Sequence, residues 1–183
     1  MTASVAIYLL WGWIFDPSFG LLNQGLALIG IEGPNWLGTT AWAMPAFIIM
    51  SLWSTGGLMV IYLAALQGVP ATLYEAAAID GANAWHRLWN VTIPMVTPSI
   101  FFTLISQILG SFQVFDAAFV LTNGGPGDST LLYVLHLYNQ AFRSFRMGYA
   151  SALAWILFVI ILLVTLVQIW LSRRWVYYEG EQR

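Results

Sequence analysis

From Ala41 to Leu66 the chain carries no charged side chain. A helix of roughly 20 apolar residues crosses about 30 Å of hydrocarbon, so residues 41–66 are long enough to span with some tilt. Two more stretches share this character. Residues 97–121 hold a single charge, Asp116, and residues 147–171 hold none and are rich in Ile, Leu and Val. Residues 1–15 are just as apolar but shorter than a full span. They lack the positive leading region of a secretory signal and read as the later part of a membrane helix.

Composition agrees. Hydrophobic residues make up 60% of the 183 positions and charged residues 8%, with a mean hydropathy of +0.76. Soluble domains carry about 25% charged residues, so lipid must solvate much of this surface. The expected fold class is an all-α membrane protein, a multi-pass transmembrane helix bundle over residues 1–171 with a polar tail over 172–183. Aromatics reach 16%, and many of the ten Trp sit near the ends of apolar runs, as an interfacial belt would place them.

Several functions are excluded or disfavoured. There is no Lys, the net charge is −2, and no basic patch suits a nucleic acid. No Cys is present, which removes disulfides and thiolate chemistry. His86 and His136 lie far apart and outside any metal-ligand spacing. The spans contain neither a nucleophile triad nor paired carboxylates, which argues against a membrane enzyme. Asp116 is their only acid, whereas an ion-coupled transporter uses intramembrane carboxylates or histidines as relays. Orientation follows from arginine placement. Arg87, Arg173, Arg174 and Arg183 fall on one side and Arg143 and Arg146 on the other, which puts loop 67–96 and the C-terminus in the cytoplasm.

Of the connections, residues 16–38 are punctuated by Pro17, Asn23, Gly33 and Pro34, and residues 122–146 open with Asn123-Gly124-Gly125-Pro126-Gly127-Asp128, both turn signals. Residues 131–142 then suit a short interfacial helix. Gly56-Gly57, with Pro45 before them, permit close helix packing or a kink. Loop 67–96 is the most informative. Pro70 suits a first helical turn, residues 75–79 favour helix, and Asp80-Gly81 is a turn pair. A second helical piece is predicted over 82–91, stopped before Pro94. One side is apolar (Leu73, Ala76, Ala77, Leu88, Trp89) and the other polar (Glu75, Asp80, Asn83, Arg87). Such a helix–turn–helix either rests on the bilayer as an amphipathic connector or docks its face into a partner's groove.

In residues 97–121, Ser99, Thr103, Ser106, Gly110 and Gln113 step by four and three, which places them on one helix face. Asp116 continues the spacing. A polar stripe in a membrane helix faces protein or a wet cavity. Solute-path lining and close helix packing are the two readings, and Asp116 could instead hold the loop at 122–127.

Glu75-Ala76-Ala77, Asp80-Gly81 and Ile93-Pro94 resemble the EAA loop of ABC importer permeases. Ile93 stands where Leu is usual. Trp13-Ile14-Phe15-Asp16-Pro17, Gly110 to Asp116, Leu121 to Pro126 and Gly148 to Ala152 are similar, in order and spacing, to binding-protein-dependent sugar permeases of the MalF/UgpA type. The resemblance implies a MetI-like permease core. It implies that Glu75, Ala76, Ala77, Asp80, Gly81, Ile93 and Pro94 couple to a cytoplasmic ATP-binding subunit and that the solute is a carbohydrate or related polyol or sugar phosphate, for which the polar spacing makes Ser106, Gly110, Gln113 and Asp116 the expected path residues. Further partners would be a second permease, an extracytoplasmic solute-binding protein and membrane lipid. ATP and Mg would bind the partner ATPase, since this chain has no G-x-x-x-x-G-K-[ST] loop. That subfamily has two more helices and a complete third before the position of Met1, so an N-terminally truncated chain is expected. An ion-coupled transporter and a non-catalytic membrane scaffold are the alternative readings.

Overall fold

The computed structural model describes residues 2–177, so Arg183 and the end of the predicted tail lie outside the described residues. All regular elements among the described residues are helical. The chain divides into two compact units: Met1–Ser54 with Ser111–Leu157, and Thr55–Gly110 with Phe158–Arg183.

The first unit contains α1 (Thr2–Ile14), α2 (Leu21–Leu28), α3 (Thr40–Trp53), a π turn over Ala118–Thr122, α8 (Tyr133–Tyr138) and the start of α9 (Met147–Ser172). One core gathers Phe47, Ala117, Ala118 and Leu135, with Tyr8 and Phe119 packed on it. A second gathers Phe15, Trp36 and Ala46, with Trp11, Leu22 and Leu26. Ala46 and Ala118 are wholly buried, small residues that let helix backbones approach. Trp11 stacks on Phe15 at 5.2 Å and meets Trp53 edge-on at 6.2 Å, so part of the aromatic content is packing rather than belt. Helix α2 falls inside the segment read as a turn-rich connection. Leu22 and Leu26 lie on one helix face and dock on the second core, and the helix gives way to Gly30 at φ +78°. The predicted 131–142 helix is present: α8 runs on into a π turn over Asn139–Arg143.

The second unit holds α4 (Gly56–Gln67), α5 (Ala71–Ile79), α6 (Ala84–Arg87), a π turn over Leu88–Thr92, most of α7 (Ile93–Phe112) and the rest of α9. Residues 41–66 thus form one apolar span whose helix is interrupted by a turn at Ser54 and Thr55. Ser51 Oγ donates to Ile48 O and Ser54 Oγ to Ser51 O, each at 2.7 Å; hydroxyls bonded back to the backbone compete with the helical ladder. Gly56-Gly57, poor helix formers, follow at once. A Cβ built on either would meet nothing within 4 Å, so within this chain they mark a weak point in the helix and not a packing contact.

Thr40–Gln67, Ala84–Phe112 and Met147–Ser172 are each long and apolar enough to cross a membrane, and Ser4–Ile14 is a shorter apolar helix. Helix α9 has 26 residues, about 39 Å at 1.5 Å per residue, enough to cross with tilt. Only 6% of its apolar window is buried. Trp155, Leu163, Val167 and Trp170 are all exposed, the expected state of a helix whose solvent is lipid.

Candidate functional site

The 67–96 loop folds as a tight helical hairpin. Pro70, in extended conformation, leads into α5. The C-terminus of α5 is closed by two bonds: Gly81 N–H donates to Ala78 O at 3.1 Å and Ala82 N–H to Ala77 O at 2.9 Å. This is a Schellman pair, which needs a left-handed residue at the position of Gly81. Gly81 has φ +75°. Asn83 then caps α6, its Oδ1 accepting from His86 N at 2.8 Å, which satisfies a donor at the helix start.

The second arm differs from its sequence reading. Helix α6 begins at Ala84 instead of Ala82 and does not stop before Pro94; through the Leu88–Thr92 π turn it becomes α7. Ile93 N–H reaches back five residues to Leu88 O. The wider turn makes room for the Pro94 ring, which would otherwise clash with the carbonyl four residues back. Ile93 and Pro94 thus open α7 instead of following a break. Tyr74 ties the two arms together, its hydroxyl 3.0 Å from Thr92 Oγ1.

Glu75, Ala76 and Asp80 are exposed and Ala77 is half-buried. Beside them, Ile79 is 87% exposed, Trp85 66% and Trp89 54%. Trp85 and Trp89 meet edge-on at 5.8 Å. The hairpin therefore presents two acids and an apolar patch from a backbone that is capped at its turn and braced between its arms. His86 turns back on Asn83, with Nδ1 3.2 Å from its Oδ1.

The predicted polar stripe is only partly assembled. Thr103 is buried, its hydroxyl 2.5 Å from Tyr62 Oη and donating to Ser99 O or Ile100 O; it serves packing. Ser106 is exposed, with Oγ donating to Phe102 O at 2.9 Å, and Gly110 faces open space. Helix α7 ends at Phe112, after Gly110 and Ser111, both weaker helix formers than Ala or Leu. Gln113 sits in the turn that follows and Asp116 opens the next helical segment; both are exposed. The four-and-three spacing does not extend past Phe112.

The 122–127 loop is held without Asp116. Thr122 and Thr130 hydroxyls meet at 2.6 Å and Thr130 donates to Gly125 O at 2.7 Å. Arg143 Nη2 donates to Asn123 Oδ1 at 2.8 Å, and its guanidinium lies 5.9 Å from the Phe119 ring centre. No local sequence pattern pairs positions twenty residues apart, so this contact is not legible in the sequence. Asn23 is another unforeseen hub. Its Nδ2 donates to Pro17 O and Pro34 O, and its Oδ1 accepts from Trp36 Nε1 at 2.7 Å. Beside it opens a cleft of about 580 Å³ lined by Ser18, Gln24 and Glu32 among others. Among the described residues, no three His, Asp or Glu side chains come together as metal ligands.

Long apolar helices joined by a capped, acidic hairpin describe a multi-pass helical membrane protein. The family described as binding-protein-dependent transport system inner membrane component matches residues 1–177, and the chain belongs to it. The chain is 41% identical over 182 residues to the probable ABC transporter permease protein YesP of Bacillus subtilis, covering 98% of this chain and 59% of YesP. It is 37% identical over 164 residues to the trehalose/maltose transport system permease protein MalF of Thermococcus litoralis, covering 89% of this chain and 55% of that one. Among solved structures it resembles a chain of a bacterial alginate ABC transporter in complex with an alginate pentasaccharide-bound periplasmic protein. There the TM-score is 0.81 and the identity 27%, over 93% of this chain and 60% of that one. The chain thus spans less than two thirds of the length of these relatives.

Proposed function

We propose that the chain is the membrane-embedded part of a permease subunit in an ATP-driven importer of carbohydrates. The 67–96 hairpin is its docking element for a cytoplasmic ATP-hydrolysing subunit. The observation that carries this reading is the hairpin's construction. It is capped at Gly81, braced by Tyr74 and Thr92, and continuous through Pro94 with α7, and it leaves Ile79, Trp85 and Trp89 uncovered next to Glu75 and Asp80. A rigid knob fused to a spanning helix passes on a push from its partner, as alternating access requires. Exposed aromatic anchors beside charge are the usual means of holding such a partner. Glu75 pairs with a basic group of the ATPase, and the loop and tail lie in the cytoplasm.

The resemblance to a trehalose/maltose permease and to an alginate transporter supports a carbohydrate as solute. Ser106 and Gln113, exposed and able to exchange hydrogen bonds with hydroxyl groups, are the residues of this chain assigned to its path. A second permease and an extracytoplasmic solute-binding protein complete the assembly.

Charge reversal at the hairpin tests the reading. In the complete transporter, Glu75→Arg should abolish uptake of the sugar retained by its binding protein, and the ATPase should no longer co-purify, while the variant stays in the membrane. Normal uptake with the ATPase still bound would remove Glu75 from the docking surface.

A further inference from the structure

Two prolines four residues apart, Pro94 and Pro98, lie in the first turns of α7. Pro98 has no N–H, so the Pro94 carbonyl lacks its ordinary helical donor. The hydroxyl of Thr97 supplies one, with Oγ1 2.6 Å from Pro94 O. A hydroxyl donates once and keeps lone pairs for acceptance. Thr97 Oγ1 accepts from the backbone N–H of Tyr177 at 2.9 Å, eighty residues away in sequence. The bonds run in one direction, Tyr177 N–H to Thr97 O–H to Pro94 C=O, the arrangement in which each polarises the next.

The neighbourhood is built to hold this relay. Thr97 is 5% exposed, with Val96, Ser172 and Val176 also buried. Beyond α9 the chain turns on Val176 N–H to Ser172 O at 2.9 Å. Trp175 then meets Phe101 edge-on at 6.1 Å.

We infer that Thr97 is a positioning residue that straps the segment after α9 to the elbow where the hairpin becomes α7, so that movement of the hairpin is delivered to the ends of both α7 and α9. The transmission rests on the reading of 67–96 as the ATPase-docking hairpin; the strap itself does not.

Hydrogen exchange by mass spectrometry on the complete transporter separates the two. Thr97→Val keeps the shape but removes both bonds, whereas Thr97→Ser keeps the hydroxyl. Residues 173–177 should exchange about tenfold faster in Thr97→Val, the equivalent of one lost hydrogen bond, and near the wild-type rate in Thr97→Ser. With MgATP and vanadate, wild-type protection should change over both 71–92 and 170–177, and in Thr97→Val over 71–92 alone. Unchanged protection of 173–177 in Thr97→Val overturns the strap. A 170–177 response to nucleotide that survives in Thr97→Val overturns the transmission. A wild-type hairpin indifferent to MgATP overturns the docking reading and the transmission with it, leaving the strap to be judged by the 173–177 rates.

Discussion

Single residues set the geometry of the hairpin, and each does so for a different reason. Gly81 is required for its dihedral and not for its size, because a Cβ there meets nothing within 4 Å while φ is +75°. A left-handed conformation costs an ordinary L-residue roughly 1–2 kcal/mol, most severely when it is β-branched, and Asn tolerates it better. Gly81→Val should therefore loosen the end of α5 by about 1–2 kcal/mol, and Gly81→Asn by less. Faster amide exchange across 75–82 in that order would show it, and equal exchange in all three proteins would contradict it. Asn83 and Pro70 act at the helix starts and Tyr74 across the arms, so no one of them defines the site. Glu75 differs in kind: the backbone does not use it, and it stands exposed, which is where a partner would find it.

At the scale of elements, the instructive feature is how proline is absorbed. A proline in a sequence reads as a helix stop, yet Pro94 and Pro98 both lie within α7. The π turn before Pro94 and the Thr97 hydroxyl before Pro98 take up what the rings displace. Neither device has a sequence signature: the π turn over Leu88–Thr92 is a change of hydrogen-bond register that residue types do not announce, and Thr97 is one hydroxyl among several. For the same reason the second arm of the hairpin is not legible in the sequence, while the first arm, with its Pro70 start and Asp80-Gly81 end, is. The contact of Tyr74 with Thr92 and the bond of Tyr177 to Thr97 join residues that only the fold brings together. The polar stripe shows the opposite case. Periodicity put Gln113 and Asp116 on the α7 face, but the helix ends at Phe112, after a glycine and a serine whose weak propensity the pattern ignored. Gln113 is nonetheless exposed. A lone cysteine at Gln113, in a transporter with no other reactive thiol, should label with a polar thiol reagent and label more slowly with the transported sugar present. An inert cysteine would assign the position to packing.

For the whole molecule, the apolar surface is the governing quantity. A chain that is 60% hydrophobic and buries only 6–17% of its spanning windows folds by leaving most of its helix surface outside its own core. Its internal cores are small and lie in the first unit around Phe47 and Phe15. In the second unit, hydrogen bonds of Tyr62 with Thr103, Tyr74 with Thr92 and Tyr177 with Thr97 join residues distant in sequence. Family membership and the all-helical class were legible from composition and from the order of five short motifs.

Photo-crosslinking from the hairpin tests the central claim most directly. A photoreactive amino acid in place of Ile79, which is 87% exposed and makes no core contact, would be activated in native membranes carrying the complete transporter, and its adducts identified by mass spectrometry. The account predicts adducts with an ATP-hydrolysing subunit, reduced when Glu75→Arg is added. Adducts with lipid alone, in membranes where the transporter is intact and active, would show that the hairpin rests on the bilayer and does not dock.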